Sequence, residues 1–203
     1  MRRWQTLWGI FLFLTTNIHG QLSETDWVDI LQLDSTFVLD VRYATPNNFM
    51  GKVIYPCPKV LLRHAVAKDL VRAHLAFKEM GYRIKIFDGY RPHSLQWELW
   101  NNTPNKAYVA DPSKYGSRHS RGAAVDLTLV DSAGEELDMG TDYDFFGAKA
   151  HHTYMGVSAQ VRQNRQLLKE TLAKYGFSSI RSEWWHYNHQ KKFPLADIPL
   201  PCP

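Results

Sequence analysis

The sequence predicts a single α+β domain with a small, largely antiparallel sheet flanked by helices. Two segments with helical periodicity alternate with short segments of strand-like pattern, and long loops rather than crossover helices join several of the strands. The chain has 203 residues, of which 44% are hydrophobic, so it can bury one substantial core. It is too short for two full-size enzyme domains and a linker.

The predicted elements are separated by loops rich in glycine, proline and polar residues. In chain order they are a strand at 37–43, a helix at 60–80, a strand at 82–87, a short helix at 92–100, a strand at 123–130, a helix at 157–175 and a strand at 184–187. The helix at 60–80 has apolar residues at three- and four-residue steps, and Gly81 follows it as a favoured C-cap. We expect its His64 and His74 to lie on the solvated face. In the strand at 123–130, Asp126 belongs to the polar face.

Residues 1–20 have the pattern of a secretory signal peptide. Arg2 and Arg3 form a positive start, an apolar stretch runs from 7 to 14, and the small residue Gly20 suits a cleavage position. The stretch is well short of the roughly 20 residues that span a bilayer as a helix, so no stable membrane insertion is expected after cleavage. We therefore expect a mature domain at 21–203 that is exported to the periplasm. A buried N-terminal helix and an uncleaved anchor are the alternatives.

Two cysteines, Cys57 and Cys202, are present in the sequence. In an oxidising compartment they can form one disulfide between the C-terminal tail and an early loop. The sequence leaves open the alternative of two unpaired thiols, because geometry decides the pairing. Two cysteines this far apart give no indication of a zinc site by themselves.

Several functional classes lack their sequence signals. The formal net charge is +4, from 24 Lys and Arg against 20 Asp and Glu, and no long basic run stands out. Nucleic-acid binding is therefore not expected, since it needs a clustered basic face. The sequence contains no Gly-x-Ser-x-Gly elbow of a serine hydrolase and no His-Glu-x-x-His helix of a zincin.

Four residues indicate a catalytic zinc site. His119 lies on a glycine-bearing turn, and Asp126 is a carboxylate within an apolar strand, which is costly unless a cation compensates it. Glu183 and His186 are three residues apart among aromatic residues. Two His and one Asp leave a fourth zinc position for water, which is typical of catalytic sites, and Glu183 is then free to act as a base. The alternative for the first pair is an Asp bound to an Arg and a His hydrogen-bonded in its loop. Arg91 can stabilise an oxyanion if it reaches the site, or it can form a structural salt bridge.

The motifs around these residues resemble those of a known family. Residues 117–126 have the pattern Ser-x-His-x-x-Gly-x-Ala-x-Asp, and 183–186 read Glu-Trp-Trp-His. They are accompanied by Gly-Tyr-Arg-Pro at 89–92, Tyr-Ala-Thr-Pro-Asn-Asn-Phe at 43–49 and Met-Gly-Thr-x-Tyr-Asp at 139–144. Jointly, over about residues 37 to 187, the sequence resembles the D-alanyl-D-alanine dipeptidase family, the zinc enzymes of the vancomycin-resistance dipeptidase type.

The resemblance implies a metal, a reaction and a set of roles. One Zn²⁺ per chain would be bound by His119, Asp126 and His186. Glu183 would be the general base and then the acid, and Arg91 would stabilise the transition state. Ser117 would bind the carboxylate of the substrate and Asp144 its ammonium group. The substrate would be the free dipeptide D-alanyl-D-alanine, which is released as two D-alanines, and a closed pocket would refuse longer peptides.

Two other functions remain open at the level of sequence. A zinc D,D-carboxypeptidase or endopeptidase acting on peptidoglycan stem peptides could use a similar zinc set but needs an open groove. A zinc domain that binds cell-wall peptide without cleaving it is the other, and the presence of Glu183 and Arg91 argues against it. For an exported dipeptidase we expect recovery of nutrients from cell-wall turnover, whereas a cytosolic one would protect against vancomycin.

Overall fold

The computed structural model describes residues 21–202, which form an α+β domain. The predicted signal peptide at 1–20 lies outside the described residues. The elements in chain order are β1 Trp27–Asp29, α1 Ile30–Leu33, β2 Val38–Leu39, β3 Leu61–Arg63, α2 His64–Glu79, β4 Arg83–Asp88, α3 His93–Asn102, β5 Ala124–Val130, α4 Ala159–Ala173, β6 Phe177–Ser179 and β7 His186–His189. Within 21–202, none of the helices combines the length and the apolar character needed to cross a membrane.

The main sheet has five strands in the order β2-β4-β5-β7-β6. The pair β2 and β4 is parallel and the other three pairs are antiparallel. A separate two-stranded antiparallel sheet joins β1 to β3. The predicted fold class, with its small and largely antiparallel sheet, is therefore confirmed. All seven residues of the central strand β5 are buried, so Asp126 lies inside the protein even though its strand face was predicted to be the polar one.

Two differences from the predicted elements have a tertiary cause. The predicted helix at 60–80 begins only at His64, because residues 61–63 pair with β1 instead. Strand β6 was not predicted, since its three residues carry no alternating pattern, and it pairs with β7 only after α4 has turned the chain back. Strand pairing between distant segments overrides local helical periodicity in the first case and creates a strand without a local signal in the second.

Helix α2 packs on the sheet with the face that its periodicity predicts. Val66, Leu70, Ala73 and Phe77 are completely buried. The helix ends at Glu79, and Gly81 follows with a φ of 86°, the left-handed conformation that favours glycine after a helix.

His74 does not lie on the solvated face of α2, and that prediction was wrong. Its ring is fully buried and stacks on Phe37 at a centroid distance of 4.0 Å. The backbone N–H of Ile84 donates to Nδ1 at 3.1 Å. Nε2 lies 3.0 Å from the hydroxyl of Thr36, which itself donates to Asp34, so Nε2 is the donor in that contact. Both ring nitrogens are thus satisfied in the neutral tautomer.

The buried His74 predicts a specific dependence of stability on pH. Burial lowers the pKa of His74 to about 4 in the folded protein, assisted by the charges of Lys78 and Arg83. The unfolded chain takes up this proton near its ordinary pKa of about 6.5, so the contribution is fully present above that pH and is lost as the pH falls towards 4. We expect His74 to lower the free energy of unfolding by about 3 kcal/mol between pH 7 and pH 4.

Chemical denaturation at several pH values checks this expectation. The variant His74→Asn should be less stable at pH 7 but should lose about 3 kcal/mol less between pH 7 and pH 4 than the wild type. Equal pH slopes in the two proteins would contradict the assignment, since all other titrating groups are common to both.

The geometry answers the question that the sequence left open about the cysteines. Cys57 and Cys202 form a disulfide, with a Cα–Cα distance of 5.8 Å, across a sequence separation of 145 residues. The tail that this bond ties down also caps α3, because the carboxylate of Asp197 accepts from the backbone N–H of Ser94 at 2.9 Å. The backbone of Ile198 exchanges two hydrogen bonds with the hydroxyl of Tyr90, the neighbour of Arg91.

Candidate active site

The register of the sheet brings two carboxylates and one imidazole side by side. Asp126 in the central strand β5 is paired with Asp88 at the end of β4 on one side and with His186 at the start of β7 on the other. Directly cross-strand residues project from the same face of a sheet, so these three side chains meet on one face of the main sheet. The predicted last strand at 184–187 begins only at His186, so the Trp-Trp pair before it belongs to the preceding loop.

His119 reaches Asp126 and His186 from a single 3₁₀ turn, His119–Arg121, just before β5. Gly122 ends the turn with a φ of 65°, and a Cβ atom built there would lie 2.3 Å from the indole of Trp27. The carbonyl of Gly122 also accepts from the backbone N–H of Arg63 at 3.1 Å. Only glycine fits this close approach in the left-handed conformation. The contacts of Gly122 with Trp27 and Arg63 fix the turn that carries His119.

Three potential metal-binding atoms converge at this point. His186 Nδ1 lies 2.9 Å from Asp126 Oδ1, His119 Nε2 lies 3.3 Å from the same oxygen, and the two ring nitrogens are 3.1 Å apart. Within residues 21–202 this is the one group of three or more His, Cys, Asp or Glu side chains whose donor atoms can meet at an ion. Ligand atoms of a tetrahedral zinc with bonds of about 2.0–2.2 Å lie roughly 3.3–3.6 Å apart, so a small outward shift accommodates the ion.

The second nitrogen of each imidazole fixes the tautomer that metal binding needs. His119 Nδ1 lies 2.7 Å from the carbonyl oxygen of Gly89 and must donate to it. His186 Nε2 lies 3.0 Å from Oδ1 of Asn188 and donates in the same way. Each ring therefore turns an unprotonated nitrogen towards Asp126, and three lone pairs meet at about 3 Å, an arrangement that favours a cation between them.

The electrostatics of the cluster also favour a positive charge. Although burial opposes ionisation, His119 and His186 hold the pKa of the Asp126 carboxyl well below its usual range, so it stays charged. Although burial disfavours the imidazolium, Asp126 and Asp88 raise the pKa of His119. The donor set of two imidazoles and one carboxylate suits zinc.

All seven predicted site residues line the same pocket, which has a volume of about 220 Å³. They are Arg91, Ser117, His119, Asp126, Asp144, Glu183 and His186. Ligand pockets for drug-sized molecules usually enclose about 300–1,000 Å³, so this one suits a small ligand. Aromatic and aliphatic side chains complete its wall, among them Tyr43, Phe49, Leu99, Tyr108, Phe146 and Trp185.

Glu183 has the electrostatic properties of a proton-transfer group. Burial, assisted by the nearby carboxylates of Asp126 and Asp144, raises the pKa of Glu183 to about 7, while His186 and Arg91 oppose the change. A carboxyl group that titrates near neutrality can both accept and return a proton at physiological pH.

Arg91 lies at the pocket and also forms the salt bridge that was its alternative role. It lines the pocket, and its guanidinium also forms a buried ion pair with Asp88, with Nη2 at 2.5 Å and Nε at 3.1 Å from Oδ2. Its Nη1 donates to Gln96 at 2.9 Å. Although burial opposes the charge, Asp88 holds the pKa of Arg91 well above its usual range. The other oxygen of Asp88 accepts from the hydroxyl of Tyr55 at 2.9 Å, so the guanidinium is held in a fixed orientation.

Asp144 and Ser117 lie where a substrate can reach them. Asp144 is half-buried, and desolvation together with the charge of Asp126 raises the pKa of its carboxyl to about 8. It accepts a hydrogen bond from the hydroxyl of Tyr43 at 3.0 Å. A bound ammonium group would restore its negative charge. Ser117 Oγ accepts from the backbone N–H of His119 at 3.1 Å, which leaves its own proton available to a ligand.

Sequence reasoning missed Asp88, Tyr143 and Gln96, which hold the predicted site residues in place. Asp88 was visible as an acidic residue three positions before Arg91, at the end of a strand. Tyr143 belongs to the motif at 139–144 but no role was assigned to it, and Gln96 carried no local signal, because the partners of both come from other elements. The other histidines of residues 21–202 lie outside the cluster. His189, for example, pairs with Asp69 at 3.1 Å.

Comparisons with known proteins identify the family of this chain. Residues 23–199 match the family model Peptidase M15, described as D-ala-D-ala dipeptidase. A D-alanyl-D-alanine dipeptidase of Escherichia coli is 37% identical over 88% of this chain and 93% of its own length. One from Enterococcus faecalis is 35% identical over 94% of each chain. A solved structure of the vancomycin resistance D,D-pentapeptidase VanY covers 76% of this chain and 83% of its own, at 15% identity and a TM-score of 0.43. On the family match and the curated relatives, this chain belongs to the Peptidase M15 family of D-Ala-D-Ala dipeptidases.

Proposed function

We propose that this protein hydrolyses the free dipeptide D-alanyl-D-alanine to two D-alanines and that it uses one zinc ion per chain. The observation that carries the proposal is a single small pocket that gathers a His-Asp-His donor set, a carboxyl group with a pKa near neutrality and a buried arginine. Family membership supports the same reaction, since the curated relatives are D-alanyl-D-alanine dipeptidases.

His119, Asp126 and His186 would hold the zinc, since each turns a lone pair towards the same point. When bound, zinc supplies Lewis-acid polarisation of the scissile carbonyl and of the attacking water. Glu183 removes a proton from that water and delivers it to the amine that leaves when the peptide bond breaks.

Arg91 would stabilise the oxygen that gains negative charge when the carbonyl is attacked. Its orientation is set before the reaction by Asp88 and Gln96, so no reorganisation is needed as the charge develops. Asp144 would bind the ammonium group of the dipeptide, and Ser117 would donate to its carboxylate. With one anchor for each terminus in about 220 Å³, the pocket favours a free dipeptide over a longer stem peptide.

The test compares substrates of different length. The purified protein loaded with zinc should release D-alanine from D-alanyl-D-alanine, and a chelator should abolish the activity until zinc is restored. A pentapeptide stem ending in D-alanyl-D-alanine should be cleaved at least about 100-fold less efficiently, because it cannot place its amine on Asp144. Equal or preferred cleavage of the stem peptide would instead assign the carboxypeptidase reaction. If neither substrate were cleaved in the presence of zinc, the proposed enzymatic activity would be refuted.

We also propose that the protein is exported and acts in the periplasm on dipeptide released from the cell wall. The signal-like pattern at 1–20 supports export, and so does the Cys57–Cys202 disulfide, since such bonds persist mainly in oxidising compartments. Fractionation should place the protein outside the cytosol with Gln21 as its N-terminal residue. A cytosolic protein with residues 1–20 intact would contradict this proposal.

A further inference from the structure

We propose that Tyr143 is a positioning residue for the metal site, because its hydroxyl holds the one oxygen of Asp126 that faces away from the two histidines. The inference rests on the proposed zinc site. The two oxygens of Asp126 have different partners. Oδ1 lies 2.9 Å from His186 Nδ1 and 3.3 Å from His119 Nε2, whereas Oδ2 accepts a hydrogen bond from the Tyr143 hydroxyl at 3.0 Å.

The ring of Tyr143 is fixed by its surroundings. It packs on Phe87 with ring centroids 4.9 Å apart, on Trp185 at 5.5 Å and on Tyr43 at 6.2 Å. Phe87 precedes Asp88 in β4, and Trp185 precedes His186 of β7, so the ring packs against residues from both sides of Asp126. A phenol hydroxyl held by such packing can donate only where it points, and it points at Oδ2.

The residue after Tyr143, Asp144, has an unusual backbone conformation. Asp144 has a φ of 58°, and within residues 21–202 it is the one non-glycine residue with a positive φ. Such a conformation costs on the order of 1 kcal/mol and is retained where the surrounding structure demands it. Here Tyr143 contacts Asp126 while the next residue, Asp144, contacts Tyr43.

The contact has a consequence for coordination. With Oδ2 held by Tyr143, Asp126 would offer Oδ1 to an ion bound between it and the two histidines. Without the hydroxyl the carboxylate would be free to rotate, so Oδ1 would no longer be held towards the two histidines. Partners that orient a metal ligand typically contribute 10- to 100-fold in metal affinity or activity.

The test uses the variant Tyr143→Phe, which removes the hydroxyl and keeps the ring. Tyr187→Phe is the matched control, because Tyr187 is also a buried tyrosine beside a metal-binding strand residue, and its hydroxyl has no partner within the described part of the chain. Metal-free proteins are titrated with Zn²⁺ against a chromophoric chelator. We expect the Kd for zinc to rise about 10-fold or more in Tyr143→Phe and to stay at the wild-type value in Tyr187→Phe.

Two further measurements separate positioning from a general effect on folding. The thermal stability of the metal-free Tyr143→Phe protein is measured, and the visible spectra of Co²⁺-substituted proteins report coordination geometry. A changed cobalt spectrum together with weaker zinc binding supports the proposal, whereas wild-type zinc affinity and spectrum in Tyr143→Phe would overturn it. A wild-type protein that does not bind zinc would instead refute the proposed function, so the two failures are distinguishable.

Discussion

The variant Glu183→Gln is expected to lose about 10³-fold in kcat while it still binds one zinc ion. Glutamine keeps the size of the side chain but cannot accept the proton of the attacking water, and general base and acid catalysis is typically responsible for 10²- to 10⁴-fold of the rate. Glu183 is not one of the three converging donors, so its replacement leaves the His-Asp-His set intact. The effect should appear in kcat rather than in KM, because the proton transfers occur in the transition state.

The measurement combines steady-state hydrolysis of D-alanyl-D-alanine with elemental analysis of the dialysed protein. Glu79→Gln at the exposed end of α2 is the matched control and should behave as the wild type. Near wild-type turnover in Glu183→Gln would remove the assignment of the base. Loss of zinc in that variant would show instead that Glu183 binds the metal.

The sequence predicts those parts of the site in which the type of a single residue is itself informative. His119, Asp126 and His186 are ligand types in a recognisable spacing, and Asp126 is a carboxylate inside an apolar strand. Their convergence follows from strand pairing, since the register of β5 and β7 sets Asp126 directly beside His186. The alternation of β5 was also visible in the sequence, but the burial of both its faces was not, because it depends on residues from other parts of the chain.

The parts that the sequence does not predict depend on partners far apart in the chain. Asp88 becomes the counter-ion of Arg91, and Tyr143 becomes the partner of Asp126, only when the sheet has formed. His74 has the spacing of an exposed helical residue, but a hydrogen bond from Ile84 in the neighbouring strand makes it part of the core. Residues 61–63 continue a helical pattern and yet pair as a strand with β1. In each case a long-range contact outweighs the local pattern.

Substitution of His119 distinguishes two interpretations of the cluster, a metal site and a set of hydrogen-bonded side chains. We expect His119→Ala to bind zinc more than 100-fold more weakly than the wild type and to have no measurable dipeptidase activity. The loss should exceed the 10- to 100-fold that follows removal of a residue that only orients a ligand, because a donor atom itself is removed. His151→Ala is the control, since His151 stands outside the converging set and should retain both zinc and turnover.

Folding must be distinguished from metal binding in this experiment, because His119 is buried and its Nδ1 ties the turn to the carbonyl of Gly89. The variant His119→Gln keeps more of the volume, so it tests the same atom with less disturbance of the packing. If His119→Gln is folded and still holds zinc in a one-to-one ratio at wild-type affinity, Asp126 and His186 must find their third partner elsewhere. The buried His119 would then belong to a structural hydrogen-bond network that ties its turn to Gly89, and not to the metal site.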